Sequence, residues 1–234
     1  MPETDTDMTS LRGRPGRVAA ASLAWEALHS VLASRAAKDC AERLIGTRRR
    51  DGLYRFAFII QSILSTLAFV VWYLRQPDQD LYTVRAPWSW MLRGVQLLSL
   101  GLLFTAVGVV GYPRFLGLRQ IRALFSGGTP VREPEAQGPA LARDGQLDVR
   151  GPFRFTRHPD NLPVFGVMWF FPRMTTNRAA LAAVMSIYAI LGSLHEDQRL
   201  RAAYGDAFDA YTRRVPFMWP RWPHADQKEH MNDP

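Results

Sequence analysis

Two apolar runs, residues 53–74 and 91–111, constrain this chain more than any other feature. At about 1.5 Å of rise per residue, each reaches across the roughly 30 Å hydrocarbon core of a bilayer as a helix. The first contains only Arg55 and Gln61 as strongly polar members, and the second only Arg93 and Gln96, both near its start. Arginine blocks flank both runs. The mean hydropathy of −0.13 over 234 residues would suit a soluble protein, but it averages polar segments with apolar runs, and only the runs test for membrane spans.

The rest of the chain is arranged around these runs. Residues 1–17 are polar and lack the apolar core and cleavage site of a secretory signal, so they read as a disordered tail. Residues 18–37 are helical in composition, with Glu26 and His29 three residues apart on one side; this segment spans only if that side faces protein. Residues 38–50 form a basic block. Pro87, Trp88 and Trp90 suit an interfacial anchor before the second run, and Gly108 to Gly111 within that run suggest close helix packing.

Residues 112–157 carry eight arginines, and residues 126–144, with Gly127, Gly128 and Pro130, read as a loop. Residues 161–171 are apolar but too short for an ordinary span and contain Pro163 and Gly166. With residues 178–194 they suggest a helical hairpin dipping into the bilayer. Leu200, Ala203, Tyr204, Ala207, Phe208, Tyr211 and Val215 then recur at helical spacing against charged residues on the other face, an amphipathic helix. Pro216, Pro220 and Pro223 end it.

The expected fold is therefore all-α, a polytopic membrane helical bundle of about five membrane-embedded helices with a C-terminal amphipathic cytoplasmic helix. A membrane domain over residues 18–222 would lie between disordered tails at 1–17 and 223–234. The formal charge of +8 comes from 29 Lys and Arg against 21 Asp and Glu, and all the cations but Lys38 and Lys228 are arginine. They flank apolar runs and accompany no nucleic-acid-binding motif, so no nucleic acid partner is expected. If runs 53–74 and 91–111 both span, the blocks at 38–50 and 112–157 share a side, which the positive-inside rule places in the cytoplasm.

Several chemistries are unsupported. A single Cys40 rules out a disulfide framework, and the five histidines show no metal-ligand spacing, so no metal is expected. No glycine-rich loop follows a strand, and no serine sits in a nucleophile elbow.

Three elements in order carry more information. They are Gly151-Pro-Phe-Arg-Phe-Thr-Arg157-His158-Pro159-Asp160-Asn161, then His195-Glu196-Asp197, then Tyr204-Gly205 through Tyr211 to Val215-Pro216. This order resembles the integral-membrane S-adenosylmethionine-dependent methyltransferases of the isoprenylcysteine carboxyl methyltransferase and phospholipid methyltransferase type, over roughly residues 112–220. Leu28-His29-Ser30, the run 115–120 and Phe171-Pro172-Arg173-Met174-Thr175 are similar to the methanethiol S-methyltransferase and NnrU branch.

The resemblance implies a cofactor pocket beside the cytoplasmic cap. Its matching positions are Gln120, Gln146, Leu147, Phe153, His158, Pro159, Asn161 and Glu196. Those residue types suit S-adenosylmethionine: Glu196 for its amine or ribose, His158 and Asn161 for the aminoacyl tail, Phe153 for the adenine and Pro159 to bend the chain. Arg157 and His158 would orient cofactor and acceptor, and His29 would assist deprotonation of a thiol. Each residue also has a plainer reading, Arg157 and His158 as headgroup anchors and the acidic pair as a helix cap.

Two departures bear on the substrate. The carboxyl methyltransferases carry an arginine where this chain has Gly192, which disfavours a carboxylate acceptor, and Asn161 stands where a tyrosine is usual. The expected partners are S-adenosylmethionine, the lipid bilayer and a small thiol or other lipophilic acceptor. The alternatives are a non-catalytic NnrU-like accessory membrane protein and a lipid or isoprenylcysteine O- or N-methyltransferase.

Overall fold

The computed structural model describes residues 14–132, 138–139, 141–142 and 145–219. The described chain is mostly helical. Helix α1 (Pro15–Ala33) begins on a proline, whose fixed φ suits the first turn, so residues 15–17 belong to a helix rather than to the expected tail. The rest of that tail, and the one at 223–234, lie outside the described residues. Ser34 ends α1 and caps α2 (Arg35–Ile45) by accepting from Ala37 N at 3.2 Å.

Helices α3 (Thr47–Leu74) and α4 (Trp88–Val110) realise the two apolar runs, and α8 (Thr176–Tyr204) is the third helix long and apolar enough to cross a membrane. Among the described residues these three meet that condition. Between them lie the short helices α5 (Tyr112–Phe115) and α6 (Leu118–Phe125), a 3-10 turn at Gly151–Arg154, and α7 (Pro163–Trp169). Residues 112–125 are thus helical where a polar connection was expected.

Packing places α1 between α3 and α8, and α7 between α4 and α8, while α6 lies on α3. Trp25 Nε1 donates to Ser65 Oγ at 3.3 Å, and Tyr54 Oη donates to the Leu32 carbonyl at 2.6 Å, so α1 and α3 run antiparallel. Gly166 lets α7 approach α4: a Cβ there would fall on Ser99. That is the close packing expected at Gly108, where an added Cβ would meet Tyr112 only at ordinary contact distance.

Two short strands lie outside the all-α expectation. Strands β1 (Asp80–Thr83) and β2 (Arg173–Thr175) pair antiparallel, with Asp80 opposite Thr175 and Thr83 opposite Arg173. Next to this ribbon, Asp78 Oδ1 accepts from Asn177 N at 3.1 Å and from Thr176 Oγ1 at 3.2 Å, so the α3–α4 connection caps the start of α8. The expected hairpin at 161–194 is therefore a helix of about two turns, a strand and a full-length helix.

The best-enclosed apolar cluster lies at the opposite end. Leu200, Phe208, Tyr211 and Val215 are buried together, with Leu147, Val149 and Tyr204 packed against them. The expected amphipathic helix is divided here: α8 continues to Tyr204, Gly205 turns the chain at φ 52°, and α9 (Asp206–Arg214) follows. The long helices instead expose large apolar side chains, among them Leu64 and Leu67 of α3, Leu97 and Leu98 of α4, and Leu191 of α8. An apolar surface of that extent is what hydrocarbon, and not water, would cover.

Candidate functional site

The Arg-His-Pro segment and the end of α8 meet at the ribbon-distal end. After the 3-10 turn, Asn161 N donates to the His158 carbonyl at 3.2 Å and Leu162 N donates to it at 3.0 Å, so residues 158–162 close one turn leading into α7. The Val-Pro element docks onto the same turn: Arg157 N donates to the Pro216 carbonyl at 3.0 Å. Phe217 then lies under both neighbours, 5.6 Å from the Arg157 guanidinium carbon and 5.0 Å from the His158 ring.

His158 is buried between two carboxylates. Its Nε2 is 3.0 Å from Asp197 Oδ1, its Nδ1 is 3.5 Å from Glu196 Oε2, and Arg157 Nη2 donates to Asp197 Oδ2 at 3.0 Å. Burial pulls the His158 pKa down, but the hydrogen bonds to Asp197 and Glu196 and their charge outweigh it and lift the imidazole to about 9. It is therefore imidazolium at neutral pH, donating from both nitrogens. Asp160 joins the group, and ligand atoms of His158, Asp160 and Glu196 lie within 4.8 Å of one another. Burial, and then the Glu196 charge, push the Asp160 carboxyl well above the usual carboxylate range.

Asp160 and Glu196 reach the floor of an open cleft of about 640 Å³ between α1, α3 and α8. Two neighbouring carboxylates with one imidazolium behind them favour a cationic ligand.

The structure brings together some of the residues singled out in the sequence and separates others. Asn161, Glu196 and His29 line the cleft, and His158 lies directly behind Glu196. Asn161 Nδ2 donates to Ser193 Oγ at 2.9 Å, and His29 Nδ1 is 3.3 Å from Ser62 Oγ on α3. Pro159 is fully buried in the turn. Phe153 is 2 % exposed and lies in the interior, its carbonyl accepting from Tyr211 Oη at 2.8 Å, rather than on the cleft wall. Leu147 packs on the C-terminal core, and the Gln146 carbonyl accepts from Ala142 N at 2.7 Å. Gln120 is buried on α6, and its Oε1 has no partner among the described residues.

Lys38, Arg55, Tyr188 and Arg199 also line the cleft and have no site role in the sequence, while Glu26, which with His29 reads there equally as a polar pair between helices or as a substrate-side group, lines it too. Only helix packing puts them there, although the spacing of Glu26 and His29 was a partial signal. Gly192 faces the cleft with nothing within 4 Å of an added Cβ, so the position that carries arginine in the carboxyl methyltransferases is open space.

Fold and site thus define a helical protein with membrane-length apolar helices and a charged cleft at one end. In sequence, the chain is 25% identical over 193 residues to methanethiol S-methyltransferase 2 of Bradyrhizobium diazoefficiens, covering 82% of this chain and 68% of that protein. It is 25% identical over 201 residues to the methanethiol S-methyltransferase of Mycobacterium tuberculosis, covering 84% and 73%. Nurim of Rattus norvegicus is 26% identical over 195 residues, covering 77% of this chain and 69% of Nurim. These likenesses, at low identity over most of the chain, bear out the resemblance read from its motifs. No protein-family model and no solved structure matches.

Proposed function

We propose that this protein is an integral-membrane methyltransferase that moves the methyl group of S-adenosylmethionine to a small or lipophilic nucleophile, a thiol by preference. The observation that carries the reading is the convergence of Asp160, Glu196 and imidazolium His158 at the floor of a cleft walled by membrane-length helices. The names of the methanethiol S-methyltransferase relatives support the reaction class and the thiol.

The residues fit the cofactor. S-adenosylmethionine, when bound, supplies an activated methyl carbon and brings a sulfonium and an ammonium. Asp160 and Glu196 would hold those cations, and Asn161 would offer a hydrogen-bonding amide beside them. His158 and Arg157 hold Asp197 and Glu196 in place, fixing the carboxylates before anything binds. Lys38, Arg55 and Arg199 lower the cost of a thiolate in the cleft, which a thiol acceptor needs because the thiolate is the nucleophile. The arginine-rich end, with the cleft, faces the cytoplasm by the positive-inside rule, and α1 and α7 complete a five-helix membrane domain beside the three long helices.

Titration of purified protein with S-adenosylmethionine tests this reading. Binding that Glu196→Ala and His158→Ala each weaken at least about tenfold is expected; no binding, or binding indifferent to both, overturns it. Labelled methyl transfer to thiols, isoprenylcysteine analogues and lipid extracts then ranks the acceptors, with thiols expected first.

A further inference from the structure

Glu26 has no part in the cofactor site, yet it is the best-placed unused group in the molecule. It belongs to a buried stripe of α1, Val18, Ser22 and Glu26, spaced four residues apart and turned inward. Val18 and Ser22 are wholly enclosed, and the Ser22 hydroxyl donates to the Val18 carbonyl at 2.7 Å. Glu26 is 3 % exposed, its Oε1 has no hydrogen-bond partner among the described residues, and it lines the cleft.

One turn further along α1, Ser30 Oγ meets Tyr188 Oη at 2.9 Å. Tyr188 precedes Glu196 by eight residues on α8, about 12 Å along a helix axis. Glu26 thus stands at the deep, apolar end of the cleft, and Glu196 stands at the charged end. A buried carboxylate oxygen without a protein partner is a costly thing to keep unless something entering the cleft satisfies it. His29, the other candidate base, already has Ser62 Oγ 3.3 Å from its Nδ1 and Phe58 against its ring.

We propose that Glu26 is the proton acceptor for the methyl acceptor, and that the deep end of the cleft is the acceptor subsite. This rests on the methyltransferase reading. In the step it serves, the acceptor S–H bond breaks and its proton goes to the Glu26 carboxylate. The sulfur electron pair forms the new C–S bond to the methyl carbon, and the old methyl–sulfonium bond breaks with its pair returning to the cofactor sulfur. Charge balances: a cation and a neutral thiol give two neutral thioethers and one proton, which Glu26 holds until products leave. Hydrogen-bond acceptance from a thiol deep in an apolar cleft also explains a carboxylate where a neutral residue would pack more cheaply.

The test compares two acceptors in Glu26→Gln, an alkanethiol almost wholly protonated at neutral pH and an aryl thiol largely ionised. Loss of the base lowers transfer to the alkanethiol about 100-fold and to the aryl thiol less than about threefold, because the second brings its own thiolate. Glu26→Asp, shortened by one methylene, shows a smaller loss with the same selectivity and decides the matter should Glu26→Gln fail to bind S-adenosylmethionine. Independent of turnover, the difference infrared spectrum of wild type holding a non-transferable cationic cofactor analogue gains a shifted carboxylate band when the alkanethiol is added, the mark of its S–H hydrogen-bonding to Glu26. In Glu26→Gln that band is missing. Equal losses on both thiols, no loss on either, or a band that persists without Glu26 overturns the proposal. Wild type that transfers methyl to neither thiol overturns the thiol methyltransferase reading as well.

Discussion

His158 holds more of this site's energetics than any other residue, because both of its ring nitrogens face carboxylates in a buried setting. Its pKa is raised from 6.5 to about 9, so its contribution is fully present below pH 6.5 and is lost as pH rises through about 9. The span between those values corresponds to about 3 kcal/mol. Thermal midpoints of detergent-purified protein are expected to fall across this window, and His158→Asn is expected to be less stable at pH 6 and flatter with pH. Asp160 behaves differently. It keeps its proton to higher pH in the free protein, and a cationic cofactor would stabilise its carboxylate, so binding releases a proton and affinity rises with pH until Asp160 is already ionised. Calorimetry in buffers of different ionisation enthalpy reads that proton, which Asp160→Asn abolishes.

Among the elements, α7 is the least legible from sequence and the most exposed to a single substitution. Its apolar stretch, with Pro163 and Gly166, read as one arm of a dipping hairpin. The structure makes it a seven-residue strut whose Gly166 sits against Ser99, while Gln96 Nε2 donates to the Val167 carbonyl at 2.9 Å and Trp169 Nε1 donates to Ser186 Oγ at 2.9 Å. Gly166→Ala is expected to lower stability by about 1–3 kcal/mol through overpacking, despite alanine's better helix propensity, and Ser99→Ala to recover part of that loss. Thermal unfolding of the single and double variants checks it. The division of the C-terminal helix at Gly205 was also hidden, because the apolar spacing of Leu200 to Val215 continues across the turn and only the positive φ reveals the break.

For the whole molecule, the distribution of arginine makes a topological statement that one native residue can test. Cys40 is the sole cysteine and is exposed on α2, at the same end as the cleft. A membrane-impermeant maleimide is expected to leave Cys40 unmodified in intact cells and to label it after lysis. Tyr82→Cys, on the exposed ribbon at the far end, is expected to be labelled in intact cells. The reverse pattern would invert the orientation.

Local chain properties were enough to establish the apolar spans, the arginine blocks beside them and the ordered Arg-His-Pro, acidic and Tyr-Gly elements. Each depends on composition or spacing within a few residues, which survives any tertiary arrangement. Residues far apart in sequence were paired only by packing. The insertion of α1 between α3 and α8 brings Glu26 and His29 into the cleft of Asn161 and Glu196, and the docking of Pro216 and Phe217 seals the turn around His158. The β1–β2 ribbon likewise joins segments some ninety residues apart through backbone hydrogen bonds that no side-chain pattern announces. Helix length and polarity follow from local physics, whereas which helix faces meet depends on side chains such as Gly166 and Ser99 fitting together in space.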